Sequence, residues 1–312
     1  MSKFTTIFMG TPDFAVPALK ALYNAGHQVS LVVTQPDRPK GRGRQLSPPP
    51  VKAVAKQLGL PVFQPESVKT QVFYKTMADL KPDIFVVAAF GHILPRRVME
   101  IAPMGAVNLH ASLLPAYRGP APIQWAIING ESETGVTSML MDAGLDTGEI
   151  LETEKTVIHP ADTAGTLHDR LAQLSANVLT KTLAGFAAGT IGPVAQDHAR
   201  ATYAPMLKKS DGRIDWSRSA VFLERFIRGM CPWPGAHTYW GSKRINIFAA
   251  RVCPMAEPRP PGTVLASFSN ELRVATGKEA LSIEELQIAS GKRMHVRDFL
   301  KGADISPATV LE

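Results

Sequence analysis

Cysteine is nearly absent: 312 residues hold two, Cys231 and Cys253, and these form no Cys-x-x-Cys pair. That excludes a disulfide scaffold and a thiolate zinc or redox motif, and a reducing compartment is the simpler reading. Long apolar runs are missing as well, since no window approaches the ~20 residues that cross a bilayer. The N-terminus enters the apolar stretch Phe4 to Met9 almost at once, with no signal-like or Arg/Ser-rich leader, so a cytoplasmic protein is expected. Three motifs are also lacking. Gly10-Thr11-Pro12-Asp13 stands where a dinucleotide fold carries Gly-x-Gly-x-x-Gly, but without the second and third glycines. Gly41-Arg42-Gly43-Arg44 lacks the Gly-Lys-Ser/Thr ending of a P-loop, and no Gly-x-Ser-x-Gly marks a serine hydrolase.

What the chain does have is a basic surplus, 34 Lys and Arg against 27 Asp and Glu, for a formal charge of +7. Such a surplus suggests a polyanionic partner, and its placement says more than its size. Residues 1–205 hold 18 basic and 16 acidic side chains, whereas residues 206–312 hold 16 and 11. A second concentration is local: Arg38, Lys40, Arg42 and Arg44 stand against Asp37 alone, among glycines and prolines. A solvated surface loop is the ordinary reading of such a run.

The length favours two domains, because single cores seldom grow past roughly 200 residues. In the first part apolar strands alternate with helical patterns, the habit of a parallel sheet covered by helices. Strands are expected at Phe4 to Met9, Val29 to Thr34, Ile84 to Phe90, Val136 to Met141 and Glu149 to Val157. A helix should start at Thr11-Pro12-Asp13 and end at Gly26. A longer one, capped by Asp162 or Thr163, carries Leu167, Leu171, Leu174, Val178 and Leu183 as one stripe. The fold class is thus α/β, a Rossmann-like, mostly parallel sheet with helices on both faces over residues 1–191. Residues 192–208 read as a linker stiffened by Pro193 and Pro205. Residues 209–312 give a helix at Ala220 to Ile227 and short strands at Ile245 to Val252, Val264 to Ala266, Leu272 to Thr276 and Leu281 to Ile283. A small β-barrel of the OB type suits that density and the basic balance.

The chemically informative segment is residues 105–119. Val107 to His110 alternates apolar and polar, so Asn108 and His110 share a face at a strand's C-terminal end, outside which open α/β sheets bind ligands. An amide and an imidazole there can donate hydrogen bonds to a carbonyl oxygen that is becoming an oxyanion. The alternative is that both simply bond nearby backbone. Asp142-Ala-Gly-Leu-Asp-Thr-Gly148 forms a loop between two apolar strands, and Asp146 could orient the histidine or make an Asx-turn. His92, His110 and Asp146 could also be metal ligands, but no His-x-x-His or His-x-x-x-His spacing pre-forms a site, and no metal is expected.

Asn108, the His-x-Ser-Leu-Leu-Pro run from His110 to Pro115, Arg118-Gly119 and Asp146 in its glycine loop resemble the signature of the folate-dependent formyltransferases. The resemblance narrows to the branch that formylates an aminoacyl-tRNA. It is carried there by Gly10-Thr-Pro-Asp-Phe-Ala-Val-Pro17, Thr34-Gln-Pro-Asp-Arg-Pro-Lys-Gly-Arg-Gly43, Pro120-Ala-Pro-Ile-Gln124 and Ile214-Asp-Trp216, and covers nearly the whole chain. Ala111, where some members carry glycine, is a departure, and the last barrel strands match less well.

The resemblance implies 10-formyltetrahydrofolate as donor co-substrate and the α-amino group of methionyl initiator tRNA as acceptor. It implies Asn108 and His110 as oxyanion donors, with Asp146 fixing the histidine and helping to carry protons. Ser112, Leu113, Leu114 and Pro115 are expected to line the folate site with Asp142, and backbone around Phe90, Gly91 and Ile93 to hold the pterin. Arg38, Lys40, Arg42 and Arg44 are expected to clamp the acceptor stem through phosphates, with Lys208 and the basic barrel extending the contact. A monomer without a membrane partner is the expected state. A small amine, an amino sugar or water could be acceptors at the same site, but none of them requires the basic loop and barrel.

Overall fold

The computed structural model describes residues 3–40, 45–265, 270–289, 291–303 and 305–312. Arg42, Arg44 and Ala266, named above, lie outside the described residues, and Lys40 is described by its backbone alone.

Apolar runs of strand length set the first part of the chain. β1 (Thr5–Gly10) and β2 (Gln28–Val33) are followed by a short hairpin of β3 (Arg38–Lys40) and β4 (Gln45–Ser47), then by β5 (Val62–Phe63), β6 (Ile84–Ala88), β7 (Ala106–His110), β8 (Glu133–Leu140) and β9 (Ile150–Val157). The large sheet runs β5-β2-β1-β6-β7-β8-β9; its first five strands are parallel, and β8 and β9 turn back as an antiparallel hairpin. Five helices follow in chain order: α1 (Val16–Asn24), α2 (Pro50–Gln57), α3 (Gln71–Asp79), α4 (Arg96–Met99) and α5 (Pro122–Asn129). The long α6 (Ala164–Ala188) is capped by Thr163, whose Oγ1 accepts from Thr166 N at 3.2 Å. Thr11 does not cap α1; its hydroxyl donates to the Phe90 carbonyl at 3.1 Å, and a 3-10 turn at Asp13–Ala15 leads into the helix.

Every residue of β6 is buried, which is why that strand is apolar throughout instead of alternating. Phe73 and Met77 of α3 and Val98 and Met99 of α4 join a core with Ile7, Met9, Phe85 and Val87 of β1 and β6. From β1 the chain first moves outward to β2 and β5, then returns to place β6 and β7 on the other side of β1. The order therefore reverses between β1 and β6, and the crevice outside the C-terminal strand ends at such a reversal is where this architecture binds ligands.

The chain divides into two compact units: one holds residues up to Pro122, Glu133–Val157 and His168–Ala204, the other Ile123–Ser132, Ile158–Leu167 and Pro205–Glu312. Most of the tract read as a linker thus differs from expectation. Val194 exchanges two 2.8 Å backbone bonds with Ile150, Arg118 N donates to the Thr202 carbonyl at 2.8 Å, and Ala204 N to the Arg118 carbonyl at 2.8 Å. Single-residue pairings of this kind need no apolar period, so the sequence pattern fades although the backbone is bonded.

In the second unit β10 (His237–Trp240), β11 (Lys243–Cys253), β12 (Leu272–Ala275), β13 (Ala280–Ile288) and β14 (Met294–His295) form one antiparallel, curled sheet of the OB type. Register shifts between Ile247 and Ala250 interrupt the β11–β13 ladder, and irregularities of that kind bend a long strand. α7 (Ala220–Met230) is capped by Ser219 and buries Leu223, Ile227 and Met230; α8 (Val296–Leu300) follows β14 directly. β13 is longer than the sequence suggested, β10 was not anticipated, and Val264 makes an isolated bridge to Val274 in place of a strand.

Candidate active site

β7 sends side chains alternately to the two faces of the sheet, so Asn108 and His110 fall on the same one. Val87 of β6 lies beside Asn108 and Thr137 of β8 beside His110. Their surroundings differ. Asn108 is half-buried, and among the described residues none hydrogen-bonds its carboxamide. His110 is 6% exposed with both ring nitrogens facing oxygen: Nε2 is 2.9 Å from the Tyr117 carbonyl and Nδ1 is 3.6 Å from Asp146 Oδ2. A carbonyl only accepts, so Nε2 carries hydrogen in this arrangement. Asn108 is therefore free to donate to a substrate oxygen as it stands, whereas His110 must first release one contact.

Asp146 reaches the histidine by a detour. β8 ends at Leu140, level with Val107, so the loop that follows doubles back along β7 by three residues, about 10 Å at the rise of a strand. Gly119 N donates to Asp146 Oδ2 at 2.8 Å, and Gln196 Nε2 donates to the carbonyls of Asp146 at 3.0 Å and Gly148 at 2.7 Å. Gly119 is required there, because its φ is +116° and a Cβ would lie 2.8 Å from the Ala204 carbonyl. Gln196 in turn accepts from Nε and Nη2 of the buried Arg118, at 3.1 and 2.7 Å. The Asx-turn of this loop is made by Asp142, which accepts from Gly144 N at 2.9 Å and Thr147 Oγ1 at 2.7 Å. Motif reading included Arg118 and Gly119 without their roles, and it missed Gln196, which lies in an unpatterned tract.

The residues expected around the folate separate by accessibility. Ser112 and Leu114 are buried, with Ser112 Oγ donating to the Ala116 carbonyl at 2.6 Å and Leu114 N donating to Thr137 Oγ1 at 3.2 Å. Leu113 and Pro115 are half-buried, while Ile93 is 83% exposed at the C-terminal edge of the sheet. Phe90 packs its ring in the core, and its carbonyl already accepts from Thr11 Oγ1 and from Gln35 Nε2 at 3.2 Å. Gly91 is exposed with φ +79°, and Asp142 is exposed with its carboxylate engaged inside its own loop.

At the root of the basic run Asp37 Oδ1 accepts from Lys52 Nζ at 2.7 Å and from Gln64 Nε2 at 2.8 Å. The Lys52 bond first, and then Gln64, holds the Asp37 carboxyl below its ordinary value. The lone acid of the run is thereby partnered outside it, and Arg38 is exposed. Lys208, in the second unit, is exposed at the start of a 3-10 turn, where Asp211 accepts from its backbone N–H at 2.7 Å. Among the described residues no three His, Cys, Asp or Glu side chains gather as a metal site, so His92 is not joined with His110 and Asp146. Among the described residues no helix is long and apolar enough to cross a membrane.

Comparison with known proteins adds to this geometry. The pattern described as formyl transferase matches residues 2–183, and that of the formyl transferase C-terminal domain matches residues 206–304. A methionyl-tRNA formyltransferase of Desulfotalea psychrophila is 52% identical over 306 residues, covering 98% of this chain and 95% of that protein. One of Desulforamulus reducens is 48% identical, covering 98% and 96%. The solved structure of HypX from Aquifex aeolicus in complex with tetrahydrofolic acid superposes with a TM-score of 0.66 at 18% identity, and shares the fold. It covers 98% of this chain, which spans about half (49%) of that one.

Proposed function

Because the chain belongs to the formyl transferase family, we infer that it transfers the formyl group of 10-formyltetrahydrofolate to the α-amino group of methionyl initiator tRNA. The product is N-formylmethionyl-tRNA, for translation initiation in the cytoplasm. The observation that carries this reading is a match to methionyl-tRNA formyltransferases over nearly the whole length of both chains, at about half identity.

The acceptor amine attacks when neutral. A free α-amino group titrates at about 8, and the adjacent ester lowers that value, so deprotonation is the easy part. The nitrogen lone pair bonds the formyl carbon, negative charge collects on the formyl oxygen, and collapse of the intermediate breaks the bond to the folate nitrogen. The amine's proton ends on that nitrogen. Asn108 donates to the oxyanion; His110 joins it once its ring leaves the Tyr117 carbonyl, and Asp146 orients the ring and helps the proton across. Leu113, Pro115 and Ile93 offer apolar surface to the folate.

The chemistry belongs to the first unit and tRNA binding to the second, assisted by the basic run from Arg38 to Arg44. In the second unit Lys208, Lys209, Arg213, Arg218 and Lys243 have no acidic ion-pair partner among the described residues, which suits a sugar-phosphate backbone. The test offers formyl-folate with methionyl initiator tRNA, methionyl elongator tRNA, glycinamide ribonucleotide or water. Consumption of the initiator species is expected, and turnover with glycinamide ribonucleotide or water alone would overturn the reading.

A further inference from the structure

Gln196 lies 50 residues from Asp146 in sequence and is 7% exposed. Its amide has one permitted orientation. Arg118 only donates, and sets Nε at 3.1 Å and Nη2 at 2.7 Å from Oε1, so Nε2 faces the carbonyls of Asp146 and Gly148. Arg118 is 2% exposed and pairs with no carboxylate among the described residues; Nη2 also lies 3.1 Å from His198 Nδ1. A buried cation donating to Oε1 polarises the amide and strengthens donation from its other end. The loop so held has little packing of its own, since Asp142 to Leu145 are exposed and Asp146 sits at φ +53°.

We propose that Gln196, aimed by Arg118, is a positioning residue for formyl transfer, gripping the loop backbone at Asp146 and Gly148 so that the carboxylate stays against His110 and the Gly119 amide. The proposal rests on the reading of Asp146 as the carboxylate that orients His110. It gives a specific duty to the polar tract 192–204, whose composition alone suggests a spacer.

Gln196→Glu tests it. The glutamate keeps the length and gives Arg118 a carboxylate to bind, while both donor contacts become oxygen facing oxygen. A displacement of about 1 Å at a catalytic group costs up to about 100-fold, so kcat should fall by about 10- to 100-fold while KM for formyl-folate and the thermal midpoint stay near the parent's. Arg118→Lys, which cannot grip Oε1 with two donors, should lower kcat in the same direction. Asp146→Asn is measured in parallel. Parental kcat in Gln196→Glu beside an inactive Asp146→Asn overturns the proposal and leaves the site reading intact, whereas parental kcat in Asp146→Asn overturns the site reading itself. A lowered thermal midpoint with parental kcat also overturns the proposal, since the role would then be structural. If Gln196→Glu does not fold, Gln196→Asn keeps the amide, falls one methylene short of the carbonyls, and carries the same comparison.

Discussion

In the first unit a few polar groups are fixed in place: His110 between the Tyr117 carbonyl and Asp146, Asp146 on the Gly119 amide, and Gln196 between Arg118 and the loop. In the second unit the conspicuous polar groups are exposed cations lying on the surface, some stacked on rings. Arg218 is 4.2 Å from the centre of Phe222 and Lys243 is 5.0 Å from that of Trp240. Chemistry on a single carbonyl depends on where each donor stands, so one lost contact removes most of the effect. Binding a polyanion depends on how many charges face it, so losses come in small, similar steps.

The sharpest way to break that contrast is at β7. Asn108→Ala should lower kcat by about 100- to 1,000-fold, the usual consequence of removing one oxyanion donor. The protein should stay folded, because no described side chain loses a partner. His110→Ala should cost a similar factor in kcat, with some stability lost from the buried ring. Steady-state kinetics with methionyl initiator tRNA measures both, and parental turnover in Asn108→Ala would mean that the free carboxamide is not the donor.

Smaller effects are expected from the cations. Lys208→Ala, Arg218→Ala and Lys243→Ala should each raise KM for tRNA a few-fold and leave kcat alone. Each should also reduce the slope of log affinity against log salt by roughly one. Loss of all tRNA dependence in one variant would replace the distributed surface by a hot spot. Arg42→Ala should likewise weaken use of tRNA and spare folate binding, and equal loss of both would point to misfolding.

The same contrast governs what the sequence could reveal. Asn108 and His110 were legible because a strand has a period of two and three consecutive apolar–polar alternations disclose it. Asp146 was legible as a glycine-flanked loop residue, though its detour back along β7 was not, since turn composition says nothing of direction. Gln196 left no trace: its contacts reach Arg118 and Gly148 across 78 and 48 residues, and one buried side chain in an unperiodic tract has no pattern. β6 was found from its unbroken apolar run, whereas β10, His-Thr-Tyr-Trp, is too short and mixed to separate from a loop.

The least effect expected of the second unit is on its stability in acid. His237 on β10 is buried beside the Gly235 carbonyl, with Arg244 and Arg213 near, and burial first, then the two arginines, pushes its pKa below the ordinary 6.5, against the opposing hydrogen bond to Gly235. The folded chain thus binds this proton less readily than the unfolded one. Its contribution is fully present above pH 6.5, is lost as pH falls from there toward the lowered folded value, and changes no further below it. All four tryptophans, at 125, 216, 233 and 240, belong to the second unit, so tryptophan-detected urea unfolding reports on that unit. The unfolding midpoint should drop between pH 7.5 and 5.5, and His237→Gln should make that drop shallower. An unchanged drop would mean that His237 takes up its proton equally well in the folded and unfolded chain.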